Sequence, residues 1–350
     1  MTRFVAIAVA TALIASSSSA QTERKTLTGS SIAIYDLAGR ISVEQGQGSD
    51  VVVEVTRGGR DADKLKVDVG ELRGRNSLRV IYPDDDIIYP ELGRWSSSDF
   101  RINDDGTWDG NGRDDRWSRH RIRVKGGGSG IEAWADLKIL VPAGKDVAVY
   151  LGVGHLGASG VTADLALHSA SGRVTVGNTK GNLIAETGSG GVEVGTATGN
   201  EVRIEAGSGS VSATDVNGKR LSIRTGSGGA TGSGITSDDL DISTGSGSVQ
   251  FENIRAPRAN LESGSGGIRA AFTAAVTSLD VRSGSGGVTI SLPANTNVQV
   301  DAETGSGGID TDFPMTLSQF DRNHVHGKIG DGSGRIRIST GSGSVRLRKT

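Results

Sequence analysis

The tripeptide Gly-Ser-Gly recurs with its first glycine at Gly188, Gly207, Gly226, Gly245, Gly264, Gly284, Gly305 and Gly341. No other feature constrains the fold as strongly, because a fixed period of this length marks stacked repeats. The first five glycines are nineteen residues apart, and the step then lengthens to twenty and twenty-one. The final gap of thirty-six is close to two repeats, and a degenerate earlier copy stands at Ala170-Ser171-Gly172.

Aligning the repeats on that glycine sorts the remaining residues into columns. Five positions before it stand Leu183, Val202, Leu221, Leu240, Ala259, Leu279, Val300 and Ile336; three before it stand Ala185, Ile204, Ile223, Ile242, Leu261, Val281, Ala302 and Ile338. Between them lies a polar column of Arg203, Ser222, Asp241, Asn260, Asp280, Asp301 and Arg337, with Ile184 as the exception. This alternation of period two marks a half-buried strand. A second inward pair follows the turn, for example Val192 and Val194, Val249 and Phe251, Val288 and Ile290.

Strands this short with one apolar face are not stable alone. If repeats stack, each strand pairs with its equivalent at about 4.8 Å and the apolar columns merge into a continuous interior. The predicted fold is therefore all-β: a parallel β-solenoid, or β-helix, with coils of about nineteen residues. Each coil is expected to hold two short strands joined across Gly-Ser-Gly. Parallel crossovers are nearly always right-handed, which predicts a right-handed solenoid.

The N-terminal part is β-rich but less regular. Ile32, Ile34, Gly39, Arg40, Ile41 and Val43 match Leu165, Leu167, Gly172, Arg173, Val174 and Val176 at a constant offset of 133, so the pattern begins early. Strands are expected at 51–55, 65–69 and 78–82. From 94 to 130 the pattern gives way to a polar, Gly- and Asp-rich insertion, expected as a long mobile loop. Residues 1–20 have the parts of a signal peptide: Arg3, the apolar run from Phe4 to Ala15, and small residues before Gln21. The expected organisation is thus a signal peptide at 1–20, an N-terminal β region at 21–150 with its insertion at 94–130, and solenoid repeats at 151–350. No later stretch of the mature chain is apolar enough to span a bilayer.

Composition excludes several classes. Fifty-four glycines without a three-residue period rule out collagen, and the absence of cysteine rules out disulfides and thiol chemistry. A formal net charge of -2 gives no field to attract nucleic acid, which is not expected as a partner.

The segment from Ile32 to Val43, the strand end Leu140-Val141-Pro142-Ala143-Gly144, the Thr-Gly-Ser-Gly-Gly-Val repeats and the run from Ser339 to Val345 together resemble a bacterial β-strand-repeat family. It is labelled adhesin, or domain of unknown function 4097. The likeness covers nearly the whole mature chain apart from the 94–130 insertion. It implies an envelope-associated β-solenoid and brings no catalytic residues with it.

Chemistry is sparse. The serines after the turn glycine (Ser189, Ser208, Ser227 and their equivalents) have no recurring histidine as base. They read instead as hydroxyls capping turn amides. The turns are flanked by strands on both sides, unlike a phosphate-binding loop that opens a helix. Asp105-Gly106-Thr107-Trp108-Asp109-Gly110-Asn111 alternates oxygen ligands, but Arg116 stands where a calcium loop needs glutamate. His324 and His326 share one face of a strand without a third ligand. Asp241, Asp280 and Asp301 are candidates for glycosidase acids, although outward polar columns arise in any soluble solenoid. The insertion concentrates Trp95, Trp108 and Trp117 among charges, and these three form the candidate ligand-binding set.

No catalytic, cofactor-binding or metal-binding residue is therefore predicted, and no cofactor. The expected function is a non-enzymatic, exported cell-envelope protein in the periplasm or at the cell surface, with an adhesin-like structural or interaction role. Envelope protein, polysaccharide or a second copy of the chain are the expected partners. The alternatives are a periplasmic carbohydrate-active β-helix enzyme of lyase type and an ice-binding solenoid displaying Thr187, Thr225, Thr244, Ser263, Ser283 and Thr304. The last is disfavoured because alternation points those hydroxyls inward.

Overall fold

The computed structural model describes residues 22–108 and 119–350, so the predicted signal peptide and Trp117 lie outside the described residues. The described chain is all-β, with a 23-stranded sheet and a second sheet of four strands. The strands of the large sheet pair mostly in parallel, tier upon tier. Val192 pairs with Val211, Val211 with Ala230, Ala230 with Val249 and Val249 with Ile268. The predicted inward columns are the core: Val202, Leu221, Ile204, Ile223 and Ile242 are all buried, and the polar residues between them face outward.

The later tiers hold the expected pair of short strands, as in Arg258–Ser263 with Ile268–Phe272 and Ser278–Ser283 with Val288–Leu292, and the middle tiers differ from it. Strands such as Val192–Ala206 and Val211–Thr225 run from one Gly-Ser-Gly turn to the next. They bend at a corner where Thr196, Asp215, Gly234 and Asn253 adopt positive φ. Beyond that corner Ala197, Val216, Ile235 and Ile254 add a further buried column. At the Gly-Ser-Gly turns tiers approach closely; a Cβ on Gly188 would stand 2.5 Å from the Ala170 carbonyl oxygen, closer than real Cβ contacts. Volume is also traded between tiers, since Gly232 leaves the space that the fully buried Phe251 ring fills.

The hydroxyl that caps the turn is not that of the serine column predicted for the task. The residue before the first glycine does it. Thr225 Oγ1 donates to the Gly209 carbonyl of the preceding tier (2.7 Å) and accepts from the Gly228 amide (3.1 Å). Thr187, Thr244, Ser263, Ser283, Thr304 and Thr340 also donate to turn carbonyls, and all are buried. The reason is alternation: this column faces inward, where a bare turn amide would otherwise be unsatisfied, whereas Ser189 and its equivalents face water.

Both ends of the stack depart from simple repetition. The strand Ser31–Gln45 forms the first tier and pairs in parallel with Asp146–Ser159, over a hundred residues later. The intervening chain returns to cover the tier's free edge with Arg75–Ile81 on one half and Trp134–Val141 on the other. Tyr82 locks this cover. Its hydroxyl lies 2.8 Å from Oδ1 of the fully buried Asp36 and 3.0 Å from the Ala38 carbonyl. Desolvation pushes the Asp36 carboxyl well above the usual carboxylate range.

At the other end the tiers are out of sequence order. Gly334–Thr340 pairs with Ser278–Ser283 on one side and Val298–Thr304 on the other, and Val345–Lys349 lies between Val288–Leu292 and Ile309–Thr311. The C-terminal repeat is therefore wedged between two repeats that are consecutive in the chain. The gap of thirty-six residues holds no extra repeat. It holds a hairpin, Thr316–Phe320 and His324–Ile329, whose second strand pairs antiparallel with Val298–Thr304.

Candidate functional site

Two residues before each turn glycine the side chain faces outward, giving the column Glu186, Glu205, Arg224 and Ser243. Register extends it back through His168 to Tyr150 and Tyr35. Because tiers are stacked at strand spacing, the rings stack too. Tyr35 and Tyr150 are 4.6 Å apart between centroids, and Tyr150 and His168 are 4.8 Å apart.

From the described part of the 94–130 insertion, Trp108 faces this column. That part is ordered, unlike the mobile loop expected. Ser97–Asn103 and Arg119–Lys125 pair antiparallel, and Asp86–Ile88 and Ile131–Glu132 complete the four-stranded sheet. The sequence disguised it because polar residues alternate with few large apolar ones; Phe100, Ile102, Ile122 and Val124 are nevertheless buried and join the main core. Asp105 is spent on the turn of this flap, accepting from the Thr107 amide (2.9 Å) and hydroxyl (2.6 Å), so it is no free metal ligand.

Trp108 leaves the flap to meet the column edge-on, 6.1 Å from Tyr150 and 5.8 Å from Phe100. It is 9% exposed, whereas Trp95 is 92% exposed beneath the Arg94 guanidinium. Only Trp108 of the described pair thus reaches the site. Between Trp108 and the column runs a cleft of about 770 Å³ lined by Tyr150, His168, Glu186, Glu205 and Arg224, with Gly188, Gly207 and Gly226 as its floor. Bare glycines deepen that floor. Ser169, level with the inward Thr187, borders the cleft and is 5% exposed, and its buried hydroxyl has no hydrogen-bond partner among the described residues.

The charges are balanced along the cleft. His168 Nδ1 lies 3.0 Å from Glu186 Oε2, and this hydrogen bond is the main cause holding the Glu186 carboxyl below its usual range. Arg203 reaches Glu186 (3.2 Å) and Glu205 (2.9 Å), and Arg224 reaches Asp241 (2.8 Å). Aromatic edges, a guanidinium and ionised carboxylates side by side suit a polar, uncharged or mixed-charge ligand held by hydrogen bonds and ring contact. Sequence reasoning missed this column and found only Trp108, which faces it across the cleft. The offset of 133 that aligned Ile32 with Leu165 also aligns Tyr35 with His168, and following it would have exposed the stack.

The other sequence candidates fall elsewhere. Asp241 binds Arg224 and Asn260 (2.8 Å each), and Asp280 pairs with Arg282 (3.0 Å). His324 lies 3.0 Å and His326 4.0 Å from Asp301. No group of three potential ligands able to hold a metal is found among the described residues.

No curated protein matches the chain. Two solved structures resemble it loosely. A proposed cell adhesion protein from Clostridium sporogenes is 10% identical, with 94% of this chain and 99% of that one covered and a TM-score of 0.24. A proposed lipid binding protein from Parabacteroides distasonis is 14% identical, with 93% and 96% covered and a TM-score of 0.40. Overlaps this loose carry no argument about function. The sequence profile of the Toastrack DUF4097 family, however, matches residues 119–348, and the chain belongs to that family.

Proposed function

We propose that this chain is a non-enzymatic, exported cell-envelope protein. It would be a right-handed parallel β-solenoid of about nineteen-residue coils whose Trp108 cleft binds an extended polar partner, foremost a polysaccharide. The cleft carries the reading: an aromatic stack and a hydrogen-bonding wall run parallel to the stacking axis, so a linear ligand meets successive tiers in register. Support for a binding rather than a catalytic role comes from the acids. Asp241, Asp280, Asp301 and Glu186 are each engaged by a neighbouring cation or imidazole. Export rests on the leader pattern before Gln21; no helix among the described residues is long and apolar enough to cross a membrane.

A glycan array probed with the chain from Gln21 onward tests the proposal. Binding of at least one glycan that weakens about tenfold in the His168→Ala/Arg224→Ala double variant is expected, since two polar contacts are removed. Intact binding in that variant would remove the cleft from the reading. Release of new reducing ends from a bound glycan would replace it with an enzyme.

A further inference from the structure

A second cleft lies on a different face of the stack, beside the Gly-Ser-Gly turns of the C-terminal tiers. There the outward residue one position after the inward Ile268, Val288 and Val345 is Arg269, Thr289 and Arg346, and register places the three side by side. They line a hollow of about 280 Å³ together with Gln250, Ser248, Gly267 and Gly287. The hollow exists because Gly267 and Gly287 stand where neighbouring tiers carry Ser248 and Ser344.

Its charge is unbalanced. Arg203, Arg224, Arg258, Arg282 and Arg337, on another face, each pair with a carboxylate. Arg269 and Arg346 are exposed and have no ion-pair partner among the described residues. Asp310 is next to Arg346 in register, but it is taken by Arg348 at 2.7 Å. Two guanidinium groups thus flank one hydroxyl, their Cα atoms roughly 10 Å apart at two strand spacings. Guanidinium forks match oxyanions bidentately, and the Thr289 hydroxyl between them adds a donor.

We propose that Arg269, Thr289 and Arg346 form an oxyanion subsite for an acidic glycan, engaging its carboxylate or phosphate groups. The site is independent of the Trp108 cleft. A single exposed arginine binds an anion weakly, so useful affinity depends on a polymer that presents anions repeatedly.

The test is calorimetric titration of the full mature chain with oligogalacturonate, which offers carboxylates, with a phosphorylated mannan, which offers phosphates, and with neutral dextran. Binding of one or both acidic glycans, but not dextran, is expected, and it should weaken as salt is raised. The Arg269→Gln/Arg346→Gln variant should lose about tenfold in affinity. Arg173→Gln, at another exposed arginine, should lose none. Which acidic glycan responds identifies the anion. Absence of binding by both, an equal loss in Arg173→Gln, or undiminished binding in the double variant would overturn the proposal. Both substitutions are at exposed positions, and unchanged thermal melts would confirm that the fold is retained.

Discussion

The out-of-order C-terminal tier predicts a pattern of cross-links that no sequential stack would give. Asp280, Arg337 and Asp301 are in register on three adjacent strands, with Arg337 in the middle. Neighbouring strands are about 4.8 Å apart, inside the 4.4–6.8 Å window of Cα separations for a disulfide, whereas next-nearest strands at roughly 10 Å lie outside it. Cysteines replacing Asp280 and Arg337, or Arg337 and Asp301, should therefore oxidise readily. Cysteines replacing Asp280 and Asp301 should not. The chain contains no native cysteine, so the background is silent. Closing the loop between positions 280 and 337 stabilises by about 4 kcal/mol on the chain-entropy estimate. The lost Asp280–Arg282 and Arg337–Asp301 pairs, at 3.0 Å and 3.8 Å, are half-exposed or exposed and offset this by at most about 1 kcal/mol each. A net gain of roughly 2–4 kcal/mol in urea unfolding follows from the two figures. Non-reducing electrophoresis and mass mapping would read the links. Rapid oxidation of the 280/301 pair, with none at 280/337, would mean that tiers follow chain order and that the wedge is wrong.

Two further outcomes follow from buried polar groups. Thr225→Val leaves the Gly209 carbonyl and Gly228 amide without their shared hydroxyl and should cost about 1–3 kcal/mol in denaturant unfolding; Thr225→Ser should cost much less, because Ser263 and Ser283 do the same task elsewhere. Asp36 has a raised folded-state pKa, so its contribution is fully present below the unfolded value of about 3.9 and is lost as pH rises towards the folded value, at about 1.4 kcal/mol per pH unit. Asp36→Asn should flatten that fall in a pH series of unfolding curves, and an unchanged slope would show that the carboxyl is ionised in the folded protein.

Much of this protein is written in its sequence, and the physical reason is the repeat. A strand's inward and outward positions follow from period two, and stacking only aligns like with like, so Leu221, Ile223 and Ser222 declare their sides without any knowledge of distant residues. The inward turn hydroxyls followed from the same alternation, although their partners did not, because Thr225 bonds a carbonyl one tier away. What tertiary structure alone decided is wherever similar repeats have interchangeable neighbours. Val300 and Ile336 carry equivalent side chains, so either could lie against Leu279, and only the path of the hairpin between them selects Ile336. The flap was likewise hidden, since its few apolar residues, among them the register partners Phe100 and Ile122, are buried as part of a main core whose other members are distant in the chain. The cleft depends on that docking: Trp108 and His168 are sixty residues apart in the chain, and packing of the flap against the first tiers is what brings them to one site.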